Sequence, residues 1–290
     1  MDKPFAPPPP APRTPETQLP EGACDAHVHL MGGVDDFPLW EGRVENPAEG
    51  INFDSWIKMY HEHLDTLCLS RGVIVHSIFY GTDNTVTLRT LETLGQGFKG
   101  VGLLPDGATR AEVRALAGNG IKAVRLNYVH GGVLSWDGAK TMAGLLADQG
   151  MHIQMLLHAD QHLDDLAKDI ERLPVPLVID HLGWPSTDLS VSGPGITTAC
   201  ALMGEGHIHM KLSAPYRMVS APYEPASALI RRYLDATPER CLWGSDWPHV
   251  MLNGAEMPHA ADLLDQVGSL TTPEERQLVF TDTPHALFFA

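Results

Sequence analysis

Two histidines one residue apart, His27 and His29, lie in the stretch Cys24-Asp25-Ala26-His27-Val28-His29-Leu30. In an extended strand, side chains alternate between faces, so the two imidazoles share one face. Side by side they can hold a divalent metal or donate two hydrogen bonds to one developing oxyanion. Taken alone, the pair reads sooner as two partly exposed histidines that are neighbours by chance. Further polar residues recur at intervals downstream: His76, Arg125 with Asn127, His158, Asp180-His181, Lys211 with Ser213 and Arg217, and Ser245-Asp246-Trp247-Pro248-His249. Each also has a plain structural reading. His76 or His158 can be a hydrogen-bonded core histidine, Arg125 can pair with an acid, Lys211 can point outward or pair, and Asp246 can be a cap or turn acid.

These residues fall at the ends of short apolar runs rich in β-branched residues. The runs predict strands at 24–30, 72–79, 98–104, 121–127, 152–158, 176–183, 208–213 and 241–246. Helical spacing fills the intervals at 53–69, 85–94, 109–117, 136–149, 159–173, 196–203 and 224–234, with further pieces at 260–267 and 273–280. Thr109 with Glu112 three residues on reads as a capping box, and Gly118 and Gly150 read as stops. Strand and helix alternating eight times predicts an α/β chain closed into a single (β/α)8 barrel. In such a barrel the reactive groups gather at the C-terminal ends of the strands, where the polar residues above fall. The segment between Leu30 and Phe53 is too long for a simple connector and is expected to be a lid. Residues 1–22 are expected to form a proline-rich arm, disordered or lying along the surface, and residues 23–290 the barrel.

Composition narrows the class of function. The formal net charge is -16, from 36 acidic against 20 basic residues, which repels nucleic acid and anionic membrane. No apolar run approaches the ~18 residues of a membrane span. Neither a Gly-x-Gly-x-x-Gly nor a Gly-x-x-x-x-Gly-Lys-Ser/Thr motif follows the first strand, so a nucleotide-binding reading lacks its signature. The leader has no apolar core and does not read as a secretory signal. Cys24, Cys68, Cys200 and Cys241 are scattered as expected of reduced thiols, which predicts a cytoplasmic protein.

The ordered set of His27-x-His29, His181 in Ile-Asp-His-Leu-Gly-Trp-Pro, and Asp246 in Trp-Gly-Ser-Asp-Trp-Pro-His resembles the amidohydrolase superfamily, amidohydrolase-2 type. Within it the chain is similar to the branch of 2-pyrone-4,6-dicarboxylate lactonases and related lactonases. The likeness runs from the leader through Gly81-Thr82-Asp83-Asn84 and Val124-Arg125-Leu126-Asn127 nearly to the C-terminus. It implies that Asp246 takes a proton from water, that the hydroxide attacks a lactone carbonyl, and that His27, His29 and His181 stabilise the oxyanion. Desolvation by Trp247 and Pro248 would raise the Asp246 pKa and make it a better base. Arg125 and Arg217 stand where the family holds substrate carboxylates, with Asn127 and His158 as further candidate substrate contacts.

Two expected arginines are missing: Gly131 and Trp184 stand in their places. The resemblance therefore implies a lactone with one anionic group and an apolar portion, not pyrone dicarboxylate itself. No cofactor is required on this reading. The alternative is a Zn-dependent decarboxylase or hydrolase in which His27, His29, His158 and Asp246 hold a single Zn, with His181 orienting water. A reading of another class is a barrel that binds a small acid without catalysis.

Overall fold

The computed structural model describes residues 3–185 and 190–290. Eight parallel strands follow in chain order: β1 Cys24–Val28, β2 Arg71–Val75, β3 Phe98–Gly102, β4 Ile121–Asn127, β5 His152–Leu156, β6 Leu177–Ile179, β7 Ile208–Leu212 and β8 Cys241–Trp243. Between them run α1 Phe53–Leu67, α2 Thr85–Leu94, α3 Arg110–Gly118, α4 Trp136–Ala147, α5 Ala159–Ile170, α6 Pro194–Gly204 and α7 Glu224–Ala236; α8 Ala260–Ser269 and α9 Pro273–Gln277 follow the last strand. Each strand pairs with its successor, and the ring closes where β8 returns to β1. There Asp246 N donates to His27 O at 2.8 Å and His29 N to Trp247 O at 2.8 Å. This is the expected (β/α)8 barrel, and its closure is also what brings Asp246 beside the paired histidines.

The strands are buried on both faces, so their sequences read as near-continuous apolar runs. Outward residues such as Ile74, Val124, Ile153, Leu177, Met210 and Trp243 pack under the helices in the main core. Inward residues form a second, smaller core of Cys24, Ala26, Val73, Val75, Val101, Ala123, Val178 and Leu242. Phe288 joins that inner core, so the C-terminal segment plugs the bottom of the barrel. The expected helix over 273–280 is shorter than its apolar pattern: α9 ends at Gln277, and π-helical turns carry the chain through Leu278–Asp282 and His285–Phe289. The capping box on α3 forms as expected, Thr109 and Glu112 each capping the other's backbone N–H.

Residues 3–22 run along the barrel surface. Ala6 N donates to Asn46 O, and Asn46 N to Pro4 O. Further along, Glu16 N and Thr17 N donate to the Asp265 carboxylate on α8, and Arg13 pairs with Asp262. The long loop after β1 is pinned on both sides of the barrel mouth: Trp40 N donates to Phe79 O, Gly32 N to Tyr80 Oη, and Met251 N to Glu45 Oε1. It therefore spans from the loop after β2 to the loop after β8.

Candidate active site

Strand β1 is not regular. Its register against β2 shifts between Asp25 and Val28, the mark of an extra residue in the strand. Below the shift, Cys24 and Ala26 face inward and Asp25 faces out, 3.4 Å from His63 Nε2 on α1. Above it His27 and His29 face the barrel interior. Asp25 Oδ1 accepts from the His27 and Ser245 backbone N–H groups, which fixes the bulge and ties β1 to β8. Gly244 is required here, because a Cβ at that position would lie 2.6 Å from His27 Cβ.

At the mouth, His27 Nε2 and His29 Nε2 are 3.3 Å apart. Asp246 Oδ1 lies 3.6 Å from His27 Nε2, 3.5 Å from His29 Nε2 and 4.0 Å from His181 Nε2. The expected four, His27, His29, His181 and Asp246, are thus brought together, all buried. Asp246 and His181 both carry left-handed backbone, with φ of 61° and 56°. Such strain in non-glycine residues is sustained only where the surroundings hold it, and it aims both side chains into the mouth. His29 Nδ1 donates to Val75 O at 2.8 Å, so in the neutral ring its Nε2 carries a lone pair. His181 Nδ1 meets Ser213 Oγ at 2.9 Å.

The two carboxylate oxygens of Asp246 differ. Oδ2 accepts from Tyr216 Oη at 2.5 Å, Arg217 Nη2 at 2.8 Å and Arg217 Nε at 3.2 Å. Oδ1 is buried with no hydrogen-bond partner. Burial alone pushes this carboxyl up, but the Arg217 charge, then His181, the His29 contact and His27 outweigh it and hold Asp246 well below the usual carboxylate range. The expected upward shift is therefore corrected, as is its cause. Trp247 turns away from Asp246 and packs on Trp56, Tyr60 and His63, ring centroids 5.5–5.6 Å away. Burial lowers His181 to about 4 and His27 well below the usual histidine range, so both rings are neutral near pH 7.

The remaining expected residues are placed differently. Arg217, expected on a substrate anion, gives its guanidinium to Asp246 and to the Val250 and Met251 carbonyls. His158 donates Nδ1–H to Trp184 O at 2.6 Å. Among the described residues the groups able to converge on a metal are His27, His29 and Asp246, and His27, Asp180 and His181; His158, expected as a metal ligand, is in neither. Asn127 Oδ1 accepts from His130 N and so braces the turn after β4. Arg125 faces the interior, its Nη2 3.4 Å from Asp180 Oδ2 and its Nε without a partner. The rings of His158 and His130 flank Trp184 with centroids 5.3 and 6.0 Å away, and Arg217 Cζ lies 6.0 Å from the Trp184 ring.

From its sequence context Lys211 can point outward or pair. It is fully buried inside the barrel, beneath the mouth. Its Nζ donates to Gln154 Oε1 at 2.7 Å and lies 3.2 Å from His27 Nδ1 and 3.5 Å from Asp180 Oδ1. Gln154 Nε2 in turn donates to Asp180 Oδ2 at 3.1 Å. A polar layer of Lys211, Asp180, Gln154 and Arg125 thus underlies the histidines, and sequence reasoning missed it. The available signal was a polar residue two positions beyond an inward apolar one, Arg125 after Ala123 and Asp180 after Val178, with Gln154 and Lys211 within β5 and β7.

An eight-stranded barrel whose strand ends carry a His-x-His pair, a further histidine and an aspartate after β8 defines an amidohydrolase-type site. The chain belongs to the amidohydrolase family (Amidohydro_2), whose model matches residues 24–290. It is 29% identical over 292 residues to a 2-pyrone-4,6-dicarboxylate hydrolase of Comamonas testosteroni, covering 96% of this chain and 93% of that one. It is 30% identical over 277 residues to a 4-sulfomuconolactone hydrolase of Rhizobium radiobacter, covering 93% and 91%. These relatives are lactone-hydrolysing enzymes. Its fold matches the crystal structure of a probable 2-pyrone-4,6-dicarboxylic acid hydrolase from Acinetobacter baumannii with citric acid bound, at a TM-score of 0.80 and 20% identity, covering 92% of this chain and 99% of that one. No helix of the described residues is long and apolar enough to cross a membrane.

Proposed function

We propose that this protein hydrolyses the ester bond of a small lactone bearing one anionic group, with Asp246 as general base. The observation that carries this reading is Asp246 Oδ1, a buried carboxylate oxygen with no hydrogen-bond partner and three imidazole Nε2 atoms within 3.5–4.0 Å. A water against Asp246 Oδ1 finds there an acceptor for one of its protons. Asp246 takes one proton, and the hydroxide adds to the lactone carbonyl carbon. The oxyanion accepts from His27 Nε2–H and His181 Nε2–H. Collapse breaks the ring C–O bond, and the proton on Asp246 passes to the leaving oxygen.

A carboxylate with a lowered pKa is a weak base, each unit costing about 1.4 kcal/mol. Two well-placed oxyanion donors offset this, at about 3 kcal/mol each in a site closed to water. His29, expected as an oxyanion donor, gives its Nδ1–H to Val75 O, which leaves Nε2 as the acceptor in the neutral form of the ring. Arg125 is the remaining cation for a substrate anion, and the His130, His158 and Trp184 rings suit an apolar portion. Gly131 and Trp184 leave little to hold a second carboxylate.

The donor set of His27, His29 and Asp246 also fits one divalent ion with an open position. A Zn ion, when bound, would polarise the carbonyl and lower the pKa of its water. The chain's own contribution in that case is two imidazole ligands and the unpartnered Asp246 oxygen. The reading is tested with a panel of lactones in an acid-release assay. Turnover of mono-anionic lactones ahead of pyrone dicarboxylate is expected. Binding without turnover of any lactone would favour a small-acid-binding barrel instead.

A further inference from the structure

Building on the lactonase reading, we propose that Lys211 is a positioning residue that locks His27 in its Nε2–H tautomer, so that His27 serves as an oxyanion donor and is a poor metal ligand. His27 Nε2 and His29 Nε2 are 3.3 Å apart, so one nitrogen must carry the proton and the other the lone pair. The Val75 carbonyl can only accept, so at 2.8 Å it takes the proton of His29 Nδ1 and leaves the lone pair on His29 Nε2. The proton between the rings then belongs to His27 Nε2, and His27 Nδ1 is an acceptor. Lys211 Nζ lies 3.2 Å from that nitrogen and, as an ammonium, can only donate to it.

The competing arrangement is built into the same layer. Asp180 Oδ1 lies 3.3 Å from His27 Nδ1 and has no hydrogen-bond partner of its own. It can accept an Nδ1–H in place of its contact with Lys211 Nζ at 3.5 Å. Were His27 to take that tautomer, its Nε2 would present a lone pair to the mouth beside His29 Nε2 and Asp246 Oδ1, completing a three-ligand metal site. A carboxylate hydrogen-bonded to the far nitrogen of a histidine ligand is the arrangement that supports metal binding. Lys211 bridges His27 Nδ1 and Asp180 Oδ1 at 3.2 and 3.5 Å and is held there by Gln154 Oε1 at 2.7 Å. The lysine thus sets His27 against the metal, and the aspartate sets it towards the metal.

The test uses the full chain with 15N-labelled histidines, the His27 signals being identified by their loss in His27→Gln. Long-range 1H–15N correlation reads the tautomer directly. In the wild type His27 is expected as Nε2–H; an Nδ1–H tautomer there overturns the proposal whether or not any variant folds. In Lys211→Met the ring is expected to switch to Nδ1–H towards Asp180. Zn affinity, measured against a competing chelator, is expected to tighten about 10-fold or more, the range for changes behind a metal ligand. A folded Lys211→Met with unchanged tautomer or unchanged Zn affinity overturns it. Asp180→Asn is expected to leave His27 in the Nε2–H form. With a lactone substrate, metal-free Lys211→Met should lose kcat with little change in KM. The tautomer and Zn readouts need no substrate, so a lactone panel without turnover would sink the functional reading and leave the positioning role standing, while the reverse pattern would sink the positioning role alone.

Discussion

Arg217 Nη2 lies 2.8 Å from Asp246 Oδ2, and Arg217 Nε lies 3.2 Å from the same oxygen. The guanidinium occupies one side of the carboxylate and leaves Oδ1 to face the imidazoles. Arg217 therefore acts through the base. Arg217→Met is expected to lower kcat by about 10²-fold, the scale of a disturbed general base, with a smaller change in KM. Steady-state kinetics on a mono-anionic lactone checks this; a large rise in KM with kcat unchanged would return Arg217 to the substrate.

Arg125 is the opposite case. Its Nη2 is 3.4 Å from Asp180 Oδ2, its Nε has no partner and its side chain is only partly buried, so donor capacity remains for a substrate anion. A charged hydrogen bond is worth about 1.5–3 kcal/mol. Arg125→Met should accordingly raise KM for anionic lactones about 10- to 100-fold and leave neutral lactones nearly unaffected. An equal effect on both substrate types would count against an anion contact.

Acid stability should be governed by buried histidines. Burial lowers His76 to about 4 and His152, His209 and His249 to about 3, against an unfolded value near 6.5. The folded state favours the neutral rings, so their contribution is fully present above pH ~6.5. It is lost as the pH falls towards 3–4, where the unfolded chain binds more protons than the native one. Thermal denaturation across pH 4–8 should show Tm level above about 6.5 and falling below it. A Tm flat down to pH 4.5 would contradict these assignments.

The barrel was legible because eight apolar β-branched runs alternate with helical periodicity, and that rhythm leaves one closed parallel architecture. The cluster of His27, His29, His181 and Asp246 was legible because all four sit at strand ends. The layer beneath was not, and Lys211 shows why. In Ile208-His209-Met210-Lys211-Leu212 every residue is buried, so alternation does not tell which face is polar, and a lysine in a strand normally points to water. The partners Asp180, just after β6, and Gln154, on β5, make its burial tolerable. The bulge in β1 was equally hidden, since it depends on Asp25 accepting from Ser245, 220 residues away. The environment of Asp246 was misjudged because nothing in Ser-Asp-Trp-Pro-His tells which way Trp247 turns.

Hydrolysis should not depend on a metal, because a lactone carbonyl needs only polarisation and the neutral His27 and His181 rings can supply it. Extended dialysis against chelator is expected to leave turnover within about twofold of the untreated protein, the scatter of such an assay, well short of the ~10²-fold loss of a catalytic group. Activity that vanishes and returns only with added Zn would move the chemistry to a metal held by His27, His29 and Asp246.

The central claim is that Asp246 activates the attacking water. The most direct measurement is turnover of Asp246→Asn on the best lactone of the panel, with folding verified by circular dichroism and substrate binding by calorimetry. The amide keeps the shape of the side chain and removes the proton acceptor. A loss of about 10²–10⁴ in kcat with binding retained is predicted; a folded Asp246→Asn with near wild-type turnover would contradict the account.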